Sequence, residues 1–101
     1  MLMKTLEEIR ARLEQLKPTL REKFAVEAIG IFGSYTRREQ TKKSDADILV
    51  EFSEDAEIGF FKFLDVEEFL SQRLAVKVDL VTKDALKPYI GKCILKEVIM
   101  V

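Results

Sequence analysis

Asp45 and Asp47 stand two residues apart in the segment Ser44-Asp-Ala-Asp-Ile-Leu-Val50. In a strand, side chains alternate between faces, so both carboxylates are expected to leave the same face a few ångströms apart. Two like charges that close repel. A hard divalent cation such as Mg²⁺, which takes oxygen ligands and keeps waters that a phosphate can share, is the natural compensation. Asp79 interrupts the apolar run Val78-Asp79-Leu80-Val81, where an unpaired buried charge would cost on the order of several kcal/mol. If its strand lies beside that of Asp47, three carboxylates can hold two metal ions across a phosphoryl group. Gly33-Ser34 ends another apolar run and precedes an expected short helix, a place where amide groups and the helix dipole hold phosphate. The glycine admits close approach, and the serine adds a hydroxyl. Singly these features are commonplace, since Gly-Ser pairs are mostly turns and Asp-x-Asp is mostly a surface feature. Together on three strands they are far more specific. The chain has no histidine and a single cysteine, Cys93. Ser-His and Cys-His catalysis and the usual zinc sites are therefore excluded, and acid chemistry falls to carboxylates.

These residues need strands and helices to position them. Leu6, Ile9, Leu13, Leu16 and Leu20 recur at three- and four-residue steps, which predicts an amphipathic helix with this stripe toward the core. Pro18 is expected to stop or kink it near Lys17. Ala25 to Phe32 reads as a mostly buried strand that delivers Gly33-Ser34, and residues 35–44 as a turn of helix plus a polar loop. Ala46 to Phe52 is the second strand, with Ile48, Val50 and Phe52 inward. Phe60 to about Leu74 is a helix whose aromatic side is most simply core, and Val76 to Thr82 is the third strand. Asp84 begins a final helical region that Pro88 permits only in its first turn, and Val98 to Val101 can pair as an edge strand. The fold class is α/β (α+β), a small mixed sheet with helices packed on it.

Length and charge bound the rest. At 101 residues a single domain spanning 1–101 is expected, and a net charge of −1 gives no reason for strong nucleic-acid binding. The charge is unevenly spread: seven acidic residues stand against Lys62 alone between Glu51 and Gln72, whereas six basic residues face three acidic ones from Arg73 onward. The simplest account of the acidic stretch is a solvated face. The single cysteine precludes an internal disulfide, and Cys93 is expected to be buried. With no apolar stretch near membrane-spanning length and no signal-like start, a cytoplasmic protein without membrane contact is expected.

Gly33-Ser34, ten residues and then Asp45-Ala46-Asp47 resembles the signature of the DNA polymerase β-type nucleotidyltransferase superfamily. Phe32-Gly-Ser-Tyr-Thr-Arg-Arg-Glu39, the Ser44 to Val50 segment, and Ala85-Leu-Lys-Pro88 followed by Ile94-Leu-Lys-Glu-Val98 are similar to the minimal MntA-type members, from about Ile29 to Val101. The resemblance implies the nucleotidyltransferase fold and two-metal nucleotidyl transfer. Asp45 and Asp47 would bind both Mg²⁺ ions, and Asp79 the catalytic one while helping to deprotonate the acceptor. Gly33 and Ser34 would hold the β- and γ-phosphates of ATP, with Arg37 neutralising charge there. Arg38 stands where many relatives carry glycine. MntA-type proteins are antitoxins of HEPN-domain ribonuclease toxins, so the expected partner is a HEPN-domain toxin AMPylated on a tyrosine. The rival expectation is a non-catalytic module of the same fold that blocks its toxin by contact. The acidic stretch and Phe60, Phe61 and Phe63 are the expected docking surface; a homo-oligomer stays open. Transfer to a small molecule or RNA has no support in length or basic surface.

Overall fold

The computed structural model describes residues 5–36, 45–82 and 98–101, with the side chain of Ser34 excepted. The expected final helical region from Asp84, Cys93, and the basic residues Arg37, Arg38, Lys42 and Lys43 lie outside the described residues.

The first helix, α1, runs Leu6–Phe24. Thr5 caps it, its hydroxyl accepting from the Glu8 amide at 3.2 Å, while Glu7 and Glu8 in the first turn and Arg21 and Lys23 in the last suit the helix dipole. The predicted stop at Pro18 does not occur; α1 continues through it for another turn and a half. An internal proline costs about 3 kcal/mol. Leu13 and Leu20, on either side of it, are both 0% exposed, and burying each contributes about 1.5–3 kcal/mol. Together they outweigh the lost hydrogen bond. The helix ends at Ala25, which takes a left-handed conformation (φ 57°) and returns its amide to the Leu20 carbonyl. The strand expected from Ala25 therefore starts one residue later.

Strands β1 (Val26–Phe32), β2 (Ala46–Phe52), β3 (Val78–Thr82) and β4 (Ile99–Met100), with helix α2 (Phe60–Leu74) between β2 and β3, complete the described fold. The sheet order is β3-β2-β1-β4. β1 pairs antiparallel with both β2 and β4, and β2 pairs parallel with β3, so the sheet is mixed as expected. Parallel pairing needs a crossover, and α2 supplies it.

One face of the sheet carries the main core. Ile29, Ile31, Ala46, Ile48, Val50, Val78 and Leu80 pack with Leu6, Ile9, Leu13 and Leu20 of α1 and Val66, Leu70 and Leu74 of α2. The alternating residues point the other way, where Phe32 and Leu49 form a smaller cluster flanked by Val81 and Val98. β4 lies so close to β1 that a Cβ at Gly30 would come within 2.7 Å of Val98 Cγ1 and 2.8 Å of Met100 Sδ. The aromatic side of α2 is not the core side. Phe63 and Phe69 are half-buried at its margin, and Phe60 and Phe61 are exposed.

Candidate active site

The site is built where β1 ends and β2 begins. In the antiparallel register Phe32 lies opposite Asp47, so the chain leaving β1 must turn directly over that carboxylate. Gly33 makes the turn at φ +77°, a conformation that side chains resist. A Cβ there would overlap Asp47 Oδ2 and sit 2.9 Å from Asp47 Cγ. Glycine is thus required twice over, by backbone geometry and by the carboxylate packed against it. Gly33–Tyr35 forms one 3-10 turn that contains Ser34. Thr36 closes the turn, donating from both its amide (3.1 Å) and its hydroxyl (2.8 Å) to the Gly33 carbonyl.

Tyr35 anchors the turn from beneath. It is 2% exposed and belongs to the main core. Burial raises the pKa of its hydroxyl above the usual tyrosine value, and the negative charge of Asp45 raises it further. Sequence reasoning missed Tyr35. Its signal was an aromatic residue set directly after Gly-Ser in an otherwise polar, basic stretch.

Asp47 and Asp79 are directly in register across the parallel β2–β3 pair, where neighbouring strands run about 4.8 Å apart. Their flanking residues, Ala46 and Ile48 on β2 and Val78 and Leu80 on β3, all belong to the helix-covered core. Alternation therefore places both carboxylates together on the opposite face. The expectation that Asp79 is buried fails: it is exposed, and Asp47 is half-buried. Asp79 thus escapes the desolvation cost that suggested a compensating partner, because β3 is the outermost of the described strands and Asp79 lies on its face away from the helices. Asp45 sits one residue ahead of β2, so strand alternation alone does not fix its place. Among the described residues, no three acidic, histidine or cysteine side chains form a ready-made metal cage.

Two residues of α2 hold β3 in place around Asp79. Ser71 Oγ accepts from the Val78 amide at 3.0 Å, and Glu67 Oε2 accepts from the Leu80 amide at 3.1 Å. These are the residues on either side of Asp79, so its backbone is fixed from both directions. Glu67 and Ser71 are four residues apart and share one helix face. Their role was not readable from sequence, since nothing in α2 alone says which strand its polar residues meet.

Oxygen-only donors on a wet face suit Mg²⁺, which is usually held by one or two carboxylates and completes its shell with water and substrate phosphates. Asp47 and Asp79 provide such a pair, with Asp45 alongside Asp47 in sequence. A glycine turn lies against the same carboxylate. The residues that could hold a metal and the turn that could receive a phosphate therefore adjoin.

Comparison with known proteins identifies the family and the fold. The chain belongs to the nucleotidyltransferase domain family, whose profile matches residues 13–101. It is 48% identical over 101 residues to the protein adenylyltransferase MntA of Thermococcus cleftensis, covering all of both chains. It is 52% identical over 100 residues to a Methanocaldococcus jannaschii protein provisionally named a protein adenylyltransferase, covering 98% of this chain and 100% of that one. Among solved structures, one provisionally described as a minimal nucleotidyltransferase superposes with a TM-score of 0.76 at 31% identity, covering 95% of each chain. A chain of the complex between a tri-AMPylated Shewanella oneidensis HEPN toxin and its MNT antitoxin shares the fold, with a TM-score of 0.64 at 18% identity over 91% of this chain and 70% of that one.

Proposed function

We infer that the chain is a Mg²⁺-dependent protein adenylyltransferase that moves AMP from ATP to a tyrosine hydroxyl of a HEPN-type toxin and so acts as its antitoxin. The observation that carries this reading is the packing of Gly33 against Asp47 Oδ2, with Asp79 in register beside it. It joins a phosphate-type turn to a carboxylate pair. The names of the relatives support the activity, and the toxin complex whose MNT chain shares the fold supports the partner.

In this reading Asp45 and Asp47 would hold both Mg²⁺ ions and Asp79 would hold the catalytic one. When bound, the ions would neutralise charge on the triphosphate and lower the pKa of the acceptor hydroxyl. Gly33 and Ser34 receive the β- and γ-phosphates, and Arg37 offsets their charge. The tyrosine oxygen attacks the α-phosphorus, the bond to the bridging oxygen of the β-phosphate breaks, and pyrophosphate leaves. The phenolic proton passes to Asp79, whose exposed position leaves room for an incoming side chain.

The test is transfer of label from ATP marked at the α-phosphate, with Mg²⁺, to a HEPN-domain protein encoded beside this chain. Asp45→Asn and Asp47→Asn should abolish labelling while leaving the melting temperature unchanged or higher, because carboxylate repulsion is relieved. Full activity in both variants would refute the assignment. Tight complex formation with no label from the wild type would instead favour a module that neutralises its partner by contact alone.

A further inference from the structure

Phe60 and Phe61 open α2 and are 69% and 81% exposed. Their rings meet edge-to-face, with centroids 5.8 Å apart, and Leu64 extends the patch one turn on at 39% exposure. An isolated exposed apolar residue is ordinary, but two adjacent phenylalanines with a third apolar neighbour form a contiguous patch of the kind that marks an interface. Beside it lies a cleft of about 730 Å³ whose lining includes Phe52, Ile58, Phe60, Phe63 and Thr82. Glu54, Asp55 and Glu57 on the connector and Asp65 and Glu68 along the helix are all exposed, against Lys62 alone. Acidic residues just ahead of α2 also suit its dipole. That leaves Asp65, Glu68 and the exposed rings without a structural role.

We propose that this acidic, phenylalanine-bearing end of α2 is the primary docking site for the protein acceptor, whose matching surface is an apolar slot rimmed with lysine and arginine. Charge decides between the occupants. A second copy of this chain meeting the patch across a two-fold axis would set acid against acid, whereas a basic partner gains both attraction and steering. The patch is also remote from the chemistry. β2 spans about 17 Å from Asp47 to Phe52, at about 3.3 Å per residue, and it is the Phe52 end that lines the cleft beside the patch. The acceptor is therefore held at one end of the sheet while its hydroxyl reaches the other. Phe60 and Phe61 act on capture, not on the transfer step.

This inference rests on the adenylyltransferase reading, and the experiment separates the two. Binding and label transfer are measured with the HEPN-domain protein encoded beside this chain, for wild type, Phe61→Ala, Phe60→Ala/Phe61→Ala and Asp47→Asn. Phe61→Ala should raise the KM for the acceptor at least about tenfold, as truncation of a central aromatic anchor does. Its kcat at saturating acceptor and its KM for ATP should stay unchanged. Glu54→Gln/Asp55→Asn/Glu57→Gln should slow association and flatten its salt dependence. Asp47→Asn should bind normally and transfer nothing. Both rings are exposed, so melting temperatures should match the wild type. If Phe61→Ala binds and labels the acceptor as the wild type does, the docking site is wrong and the enzyme reading stands. If the wild type neither binds nor labels it, the enzyme reading fails and the docking site with it. Conversion of a dimer to a monomer by Phe61→Ala, with acceptor KM unchanged, would identify the patch as a self-interface and overturn the proposal.

Discussion

Replacing Gly33 by alanine is the sharpest test of the packing between turn and carboxylate. The methyl group meets two penalties. At φ +77° an L-residue costs about 1–2 kcal/mol relative to glycine. The new Cβ also overlaps Asp47 Oδ2 and lies 2.9 Å from Asp47 Cγ, so the carboxylate must swing off its rotamer at about 0.5–1.5 kcal/mol. The sum, about 2–3 kcal/mol, should lower the melting temperature by roughly 10 °C or more in a chain of this size while leaving the protein folded. Displacing a catalytic group by about 1 Å costs about 100-fold in rate, so kcat/KM for AMP transfer should fall about that far. Urea unfolding of Gly33→Ala in the Asp47→Ala background isolates the contact. Once the carboxylate is gone, only the backbone penalty remains, and the alanine should cost about 1 kcal/mol less than in the wild type. Equal costs in the two backgrounds would refute the contact, and undiminished transfer by Gly33→Ala would refute its catalytic relevance.

Ser34→Ala should raise the KM for ATP about tenfold through one lost phosphate contact, with kcat little changed, as steady-state kinetics would show. Glu67→Ala leaves the amide of Leu80 without its acceptor and should cost about 1–2 kcal/mol by thermal unfolding, with Glu67→Gln recovering most of it; an equal loss in both would mean that the charge matters and the hydrogen bond does not. For Tyr35 the folded pKa is raised by burial first and by Asp45 second, so the neutral phenol stabilises the fold. That contribution is fully present below the unfolded value of about 10 and is lost as pH rises through the folded one. Tyr35→Phe should remove this alkaline loss in metal-free protein, read by unfolding free energy against pH.

Local chemistry was legible in the sequence wherever local forces decide it. The Leu6 to Leu20 stripe and the strand end at Gly33 survive in the structure because periodicity and turn chemistry act over a few residues, whereas Asp45 falls one residue ahead of β2, where strand alternation no longer ties it to the face of Asp47. Pro18 misled because the burial of Leu13 and Leu20 is a tertiary effect. Asp79 misled because an apolar strand with one charge looks the same at the centre and at the edge of a sheet, and only the order β3-β2-β1-β4 distinguishes them. The aromatic run of α2 allowed two readings, core as the simplest account and docking surface for Phe60, Phe61 and Phe63, because composition alone does not say which face turns inward. The helix turns Val66, Leu70 and Leu74 inward and leaves its first two phenylalanines outside. Tyr35 became visible only once the turn was seen resting on the core.

The pair of side chains that fixes Asp79 has a second effect. An edge strand normally offers its outward amides to any passing strand, which is how sheets extend into neighbouring molecules. Here the Val78 and Leu80 amides are already taken by Ser71 and Glu67. A foreign strand cannot recruit them without first breaking those bonds, so β3 resists both aggregation and recognition by strand addition. Binding on this side is thereby steered toward side chains, and the residues that hold the strand of Asp79 in register also oppose growth of the sheet.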